Sequence, residues 1–178
     1  MMIWLLLAFA VCVALLLWRA SASNKAALPR AGDLLPDFSL PDQFGKVRTA
    51  AEFRGRWLVL YFYPRDDTPG CTEQAAQFRD AMKEFDAAGA AVCGISVDNS
   101  ESHAAFARKY NLPYALLADH GGNTARRFGS LHNFGLLKFA RRNTFLFDAQ
   151  GRLVKTYLGV NPAQNARAVL ADLGRLVK

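Results

Sequence analysis

Trp57-Leu58-Val59-Leu60-Tyr61-Phe62-Tyr63 runs directly into Pro64-Arg65-Asp66-Asp67-Thr68-Pro69-Gly70-Cys71-Thr72. The first stretch is continuously apolar and rich in aromatics, which suits a strand buried on both faces. Pro64 to Gly70 breaks it. From Thr72 to Ala88 the spacing predicts a helix, with Phe78, Met82 and Phe85 on one side and Gly89 as the stop. Ala90 to Val97 (AAVCGISV) then reads as a second strand, so the stretch opens a β-α-β unit.

Downstream, Glu101 to Tyr110 reads as a helix, Tyr114 to Leu117 as a short strand and Asn123 to Phe128 as a short helix. Thr144 to Phe147 and Leu153 to Tyr157 form a hairpin across the turn Asp148 to Gly151. Pro162 opens a last helix running to about Val177, with proline in the first turn. Upstream, Phe38 to Leu40 and Lys46 to Thr49 flank Asp42 to Gly45 as a small hairpin. The order predicts an α/β fold with a central mixed β-sheet flanked by helices, the order of a thioredoxin-like fold.

The chain has 178 residues, one domain's worth, and 52% of them are hydrophobic, which excludes a disordered chain. Three scattered cysteines exclude a disulfide scaffold. The formal charge of +7 is dispersed. Its densest runs, Arg126-Arg127 and Lys138 to Arg142, are short, so they read as solvated surface and no nucleic-acid partner is expected.

Met1 to Trp18 (MMIWLLLAFAVCVALLLW) carries no charged side chain. As a helix it would be about 27 Å long, close to the hydrocarbon thickness of a bilayer. No basic residue precedes it, and it exceeds a signal-peptide core of about 7–15 residues. It is therefore read as one N-terminal transmembrane helix, an uncleaved anchor over residues 1–18. A linker over 19–30 and a folded domain over 31–178 follow. Arg19, Lys25 and Arg30 behind the span predict a cytoplasmic domain. The alternative is export after cleavage near Ala22, where Ala20-Ser21-Ala22 offers a small-x-small site.

The chemistry gathers where the first buried strand ends. Cys71 sits where a helix begins, and helix N-termini present free N–H groups and partial positive charge that favour a thiolate over a thiol. Pro69 fixes the turn and Gly70 permits close backbone approach. Thr68 places a hydroxyl three residues before the sulfur, able to donate to a bound oxygen.

Pro64, Thr68 and Cys71 spell P-x-x-x-T-x-x-C, the active-site motif of the peroxiredoxins. The longer stretch Val59 to Thr72 (VLYFYPRDDTPGCT) resembles the peroxiredoxin Q, or bacterioferritin comigratory protein, branch. The likeness continues through Gly94-Ile95-Ser96, Phe128-Gly129 and Arg142 to Asp148, covering about residues 30–178. It implies reduction of hydrogen peroxide or an organic hydroperoxide, with Cys71 as the peroxidatic cysteine. Thr68 would hold the peroxide in line, Pro64 would shield the sulfenate, and the amides of Gly70 and Cys71 would stabilise charge on oxygen. An arginine on a later strand completes the site. The family's R-x-[ST]-F register selects Arg142 over Arg141, and strand parity allows only one of the two to face it. No metal or cofactor is expected.

One departure shapes the expected cycle. Many peroxiredoxin Q proteins carry a resolving cysteine five residues after the peroxidatic one; here that position is Ala76. Cys12 lies in the apolar run, and Cys93 in a buried-strand pattern reads as inert core. A one-cysteine cycle resolved by an external thiol, such as thioredoxin or glutaredoxin, follows. His103, His120 and His132 match no zinc spacing. Two competing readings are a membrane-tethered thiol-disulfide oxidoreductase and a copper-delivery module. Each needs a second thiolate, and the required positions hold Gln74 and Ala75.

Overall fold

The computed structural model describes residues 28–135 and 137–177. The expected anchor over 1–18 and most of the expected linker lie outside them. Among the described residues no helix is long and apolar enough to cross a membrane.

A five-stranded sheet organises the domain, built from β3 (Trp57–Phe62), β4 (Ala90–Ser96), β5 (Ala115–Ala118), β8 (Thr144–Phe147) and β9 (Leu153–Tyr157). Its order is β5-β4-β3-β8-β9, with β3, β4 and β5 parallel and β8 and β9 antiparallel to their neighbours. The mixed sheet and thioredoxin-like topology are those expected. Two small hairpins flank it, β1 (Ser39–Pro41) with β2 (Val47–Thr49), and β6 (Leu131–Phe134) with β7 (Leu137–Ala140). The helices are α1 (Pro69–Asp80), α2 (Met82–Ala87), α3 (Ser100–Tyr110), α4 (Asn123–Arg127) and α5 (Asn165–Leu176), with a 3-10 turn at Ala50–Phe53.

Strand β3 divides the core. Val59, Tyr61 and Tyr63 point into a layer with Phe78, Phe85, Phe106 and Val169 from the helices. Leu58, Leu60 and Phe62 point the other way, into a layer with Phe38, Phe128, Phe145 and Phe147. This alternation is the period-two geometry of a strand, and both faces are covered, which explains the unbroken apolar run. Gly94 permits the close approach of Tyr61, since a Cβ there would stand 2.8 Å from that ring.

Three expectations are corrected and one unassigned stretch is placed. The helix from Thr72 to Ala88 is two helices, broken at Ala81, whose backbone (φ −94, ψ 5) leaves the helical range; the break lets Phe85 pack against Phe78 at 5.8 Å between ring centroids. The first of these helices begins at Pro69, so Cys71 is its third residue rather than a flanking one. The last helix starts at Asn165, not Pro162, because Asn161 captures the Ala163 amide with its side chain and the Gln164 amide with its carbonyl, closing a turn first. Finally, the stretch from 131 to 140, unassigned in the sequence, forms the β6–β7 hairpin.

Candidate active site

The end of β3 places the site. Tyr63 extends the parallel ladder, its amide donating to the Ile95 carbonyl at 3.1 Å. The loop from Pro64 to Thr68 then turns the chain into α1. Asp67 takes a left-handed backbone (φ 54), uncommon for a residue with a Cβ. It is held by Lys109 Nζ at 2.7 Å and Tyr110 Oη at 2.6 Å.

Asp66 points inward instead. It accepts hydrogen bonds from Tyr63 Oη at 2.7 Å and Ser102 Oγ at 2.7 Å, and His103 Nδ1 lies 2.8 Å from its carboxylate. A carboxylate only accepts, so Nδ1 carries the proton. His103 Nε2 is buried with no partner among the described residues. Burial, and then the Asp66 charge, push the Tyr63 phenol well above its ordinary value, so it stays a donor. Two consecutive aspartates thus pin the loop to α3, one from inside and one from outside.

Cys71 is 1% exposed, in the first turn of α1. Its own amide and that of Gly70 donate to no backbone carbonyl among the described residues, as expected at a helix start. Arg142 Nη2 donates to Cys71 Sγ at 3.3 Å. Its Nη1 donates to Gln74 Oε1 at 2.7 Å and to the Gly70 carbonyl at 3.3 Å. Gly70 makes room for this: a Cβ there would lie 3.3 Å from Arg142 Nη2 and 3.4 Å from Pro162.

Gln74 is fully buried and passes the connection inward. Its Nε2 donates to Asn165 Oδ1 at 2.8 Å, and Thr144 Oγ1 donates to the same oxygen at 2.8 Å. The guanidinium is therefore fixed by α1, α5 and β8 together. Arg142 itself lies in the link between β7 and β8, not on a strand as expected, so parity is not what separates it from Arg141. The link is held by the Asn143 amide on the Arg141 carbonyl and the Val160 amide on the Arg142 carbonyl. Arg141 is exposed.

Thr68 caps α1 in extended backbone. Its hydroxyl donates to the Arg65 carbonyl at 3.1 Å. With the proton so placed, the lone pairs of the hydroxyl oxygen are left to accept from a ligand. Pro64 is half-buried and lines a groove with Arg142.

Cys93 lies on β4 and faces the layer opposite to Cys71, with the sheet between them. Burial pushes its thiol far above its ordinary value. The expectation of an inert core cysteine agrees with this placement.

Residues 31–156 match the AhpC/TSA family. The chain belongs to that family. Within it the chain stands with the peroxiredoxin Q branch. It is 47% identical over 127 residues to a chloroplastic peroxiredoxin Q of Gentiana triflora, a match that covers 71% of this chain and 58% of that protein. The chain thus spans less than two thirds of that relative's length. Among solved structures it resembles the peroxidoxin BcpB of Mycobacterium tuberculosis (34% identity, TM-score 0.79, covering 83% of this chain and 98% of that one). Xanthomonas campestris peroxiredoxin Q is similar too (35% identity, TM-score 0.74, 79% and 92% covered).

Of the residues named from the sequence, Arg142 touches Cys71 and Gly70 and shares a groove with Pro64, while Thr68 stands at the start of α1 with its hydroxyl on the Arg65 carbonyl. Sequence reading missed Asp66, His103, Gln74 and Asn165. Gln74 had a signal: it falls three residues after Cys71 and four before Phe78, a polar residue on an apolar stripe.

Proposed function

We propose that this AhpC/TSA-family protein is a thiol-dependent peroxidase that reduces hydrogen peroxide and organic hydroperoxides at Cys71. The observation that carries the reading is the 3.3 Å contact from Arg142 to a sulfur held in the first turn of a helix. A fixed guanidinium and free helix amides both stabilise the charge that develops on a departing oxygen.

The sulfur attacks the terminal peroxide oxygen. An S–O bond forms as the O–O bond breaks, and the remaining oxygen leaves with a proton as water or alcohol. The sulfur is left as a sulfenic acid. Thr68 accepts the hydroperoxide O–H and aligns it, while Arg142 steadies the leaving oxygen. Pro64 limits access to the sulfenate. An external thiol then attacks the sulfenic sulfur, forming a mixed disulfide and water, and a second thiol releases Cys71. Ala76 in the fifth place after Cys71, and a sheet between Cys71 and Cys93, support this one-cysteine cycle. Thioredoxin or glutaredoxin would supply the thiols. The copper and disulfide-exchange readings are disfavoured, since Gln74 is committed to Arg142 and Ala75 is packed in the core.

The anchor remains part of the proposal: residues 1–18 hold the domain over 31–178 at a membrane on its cytoplasmic side. A mature chain beginning at Ser23 would overturn that and make the enzyme an exported one. For the activity, Cys71→Ser removes the nucleophile and should abolish turnover of hydrogen peroxide with a thioredoxin system, with the fold intact by circular dichroism. Turnover retained above trace level would overturn the peroxidase reading.

A further inference from the structure

Asp66 stands two residues before Thr68, and both its side chain and its peptide group are tied down. Its Oδ1 accepts from the Tyr63 hydroxyl, and its Oδ2 accepts from the Ser102 hydroxyl and from His103 Nδ1. Its amide donates to Asp98 Oδ2 at 2.9 Å, and the same oxygen accepts from Ser96 Oγ at 2.6 Å. The ends of β3 and β4 and the first turn of α3 thus meet on one residue. The side chain of Asp66 is 4% exposed and that of His103 0%. Among the described residues no lysine or arginine lies within ion-pair distance of this carboxylate, so hydrogen-bond donors compensate its burial.

A single peptide unit carries this anchoring to the site. The Asp66 amide and the Arg65 carbonyl belong to the same planar group and point to opposite sides of it. Asp98 holds the N–H, while the carbonyl accepts the Thr68 hydroxyl proton at 3.1 Å. The tilt of that plane therefore sets where the Thr68 proton points, and with it the direction of the lone pairs left for a hydroperoxide. Play in Asp66 rotates the acceptor on which Thr68 rests. Attack on a peroxide needs sulfur and both oxygens in line, so such play costs rate without removing a reacting group.

Among the three donors to Asp66, His103 is the stiff one. Tyr63 and Ser102 donate through hydroxyls, which rotate, whereas an imidazole N–H has one direction in the ring plane. The ring is packed beside Tyr63 at 6.2 Å between centroids. Its Nε2 is buried with no partner among the described residues, so Nδ1 is the ring atom that bonds. The outer anchor is of another kind: Lys109 and Asp67 are about half exposed, and such pairs hold little in water.

We propose that His103 is a positioning residue for the peroxide step: its Nδ1–H locks Asp66, and through the Arg65–Asp66 peptide it aims the Thr68 hydroxyl at the hydroperoxide. The proposal rests on the peroxidase reading and adds a residue to that same site. His103 takes no proton from the reactants and gives them none.

The test measures two rates at Cys71 of the full chain. One is oxidation by hydrogen peroxide, in competition with a reporter peroxidase. The other is alkylation by iodoacetamide, which needs no alignment by Thr68. His103→Leu fills the space and removes the donor; it should slow oxidation at least about tenfold and leave alkylation within about threefold. His103→Asn, whose amide nitrogen can stand where Nδ1 stands, should recover oxidation to within about threefold of wild type. His103→Gln places its nitrogen where Nε2 stands and should not recover it. In a Thr68→Val background His103→Leu should cost less than about twofold more, because the group it acts through is gone. Where His103→Leu does not fold, Ser102→Ala takes another donor from the same oxygen and should slow oxidation about threefold with alkylation unchanged. Oxidation unchanged by the loss of the donor, oxidation and alkylation falling together, no recovery in His103→Asn, or a full loss on top of Thr68→Val would each overturn the proposal. Failure of the unaltered chain on hydrogen peroxide is a separate outcome that removes the peroxidase reading itself.

Discussion

Arg142→Ala should slow the oxidation of Cys71 far more than Arg141→Ala does. The two cations are sequence neighbours, yet one donates to Sγ at 3.3 Å and the other is exposed. A unit charge at that distance from a thiolate is worth at most about 5 kcal/mol at an effective dielectric of about 20. Desolvation offsets much of this, and a hydrogen bond to a charged group contributes about 1.5–3 kcal/mol net. At about 1.4 kcal/mol per tenfold, Arg142→Ala should cost roughly 10- to 100-fold in the rate of peroxide attack. The same truncation leaves Gln74 Oε1 buried without its donor, a further cost of about 1–3 kcal/mol in stability. Arg142→Lys keeps the charge but cannot bridge sulfur, carbonyl and amide oxygen together, so it should fall between wild type and alanine. The assay is competition with a reporter peroxidase for limiting hydrogen peroxide, alongside thermal unfolding of each variant. An Arg141→Ala rate as low as that of Arg142→Ala, or an Arg142→Ala rate within about twofold of wild type, would refute the reasoning.

Cys93→Ala should lower stability by about 1 kcal/mol through a small cavity and leave turnover unchanged; a chain that stalls at the sulfenic acid would make Cys93 a resolving thiol. Gly70→Ala should separate stability from chemistry: alanine favours the helix by up to about 1 kcal/mol, while its Cβ crowds Arg142, so unfolding should not become easier yet oxidation should slow about three- to tenfold. Asp172 tests the acid limb. Burial opposes its charge, but hydrogen bonds from Lys155, Tyr157 and Arg175 hold its carboxyl down from 3.8 to about 2. A lowered carboxyl stabilises the fold above its ordinary value, and that contribution fades as pH falls from 3.8 towards 2. With Lys155 and Arg175 partly in solvent it should amount to about 1 kcal/mol. Asp172→Asn should therefore destabilise at pH 7 and flatten the acid slope seen in urea titrations, and an unchanged slope would contradict this.

The strand at Trp57 and the thiol at Cys71 were legible because each rests on local chemistry. An apolar run needs two covered faces, and a cysteine after Thr68-Pro69-Gly70 needs a reason to be there. Arg142 was legible only through its R-x-[ST]-F register; its real support comes from Gln74, which lies 68 residues away in sequence. The polar chain from Gln74 through Asn165 to Thr144 joins three elements, and no sequence period encodes a side chain that points across a helix–sheet interface. Asp66 and His103 were missed for the same reason. A charged residue in a loop and a histidine on a helix each read as solvated until the fold buries them together. The β6–β7 hairpin escaped because its four-residue strands are too short to display alternation, and Phe134 and Leu137 at its tip are exposed rather than in the core.

The most direct test of the central claim is intact-mass spectrometry of the full chain exposed to a stoichiometric pulse of hydrogen peroxide with a sulfenic-acid-trapping dione present. The account predicts one trapping adduct, mapped to Cys71, absent from Cys71→Ser and retained in Cys93→Ala. An adduct on Cys93 would contradict it, as would peroxide consumption by Cys71→Ser with no adduct at all.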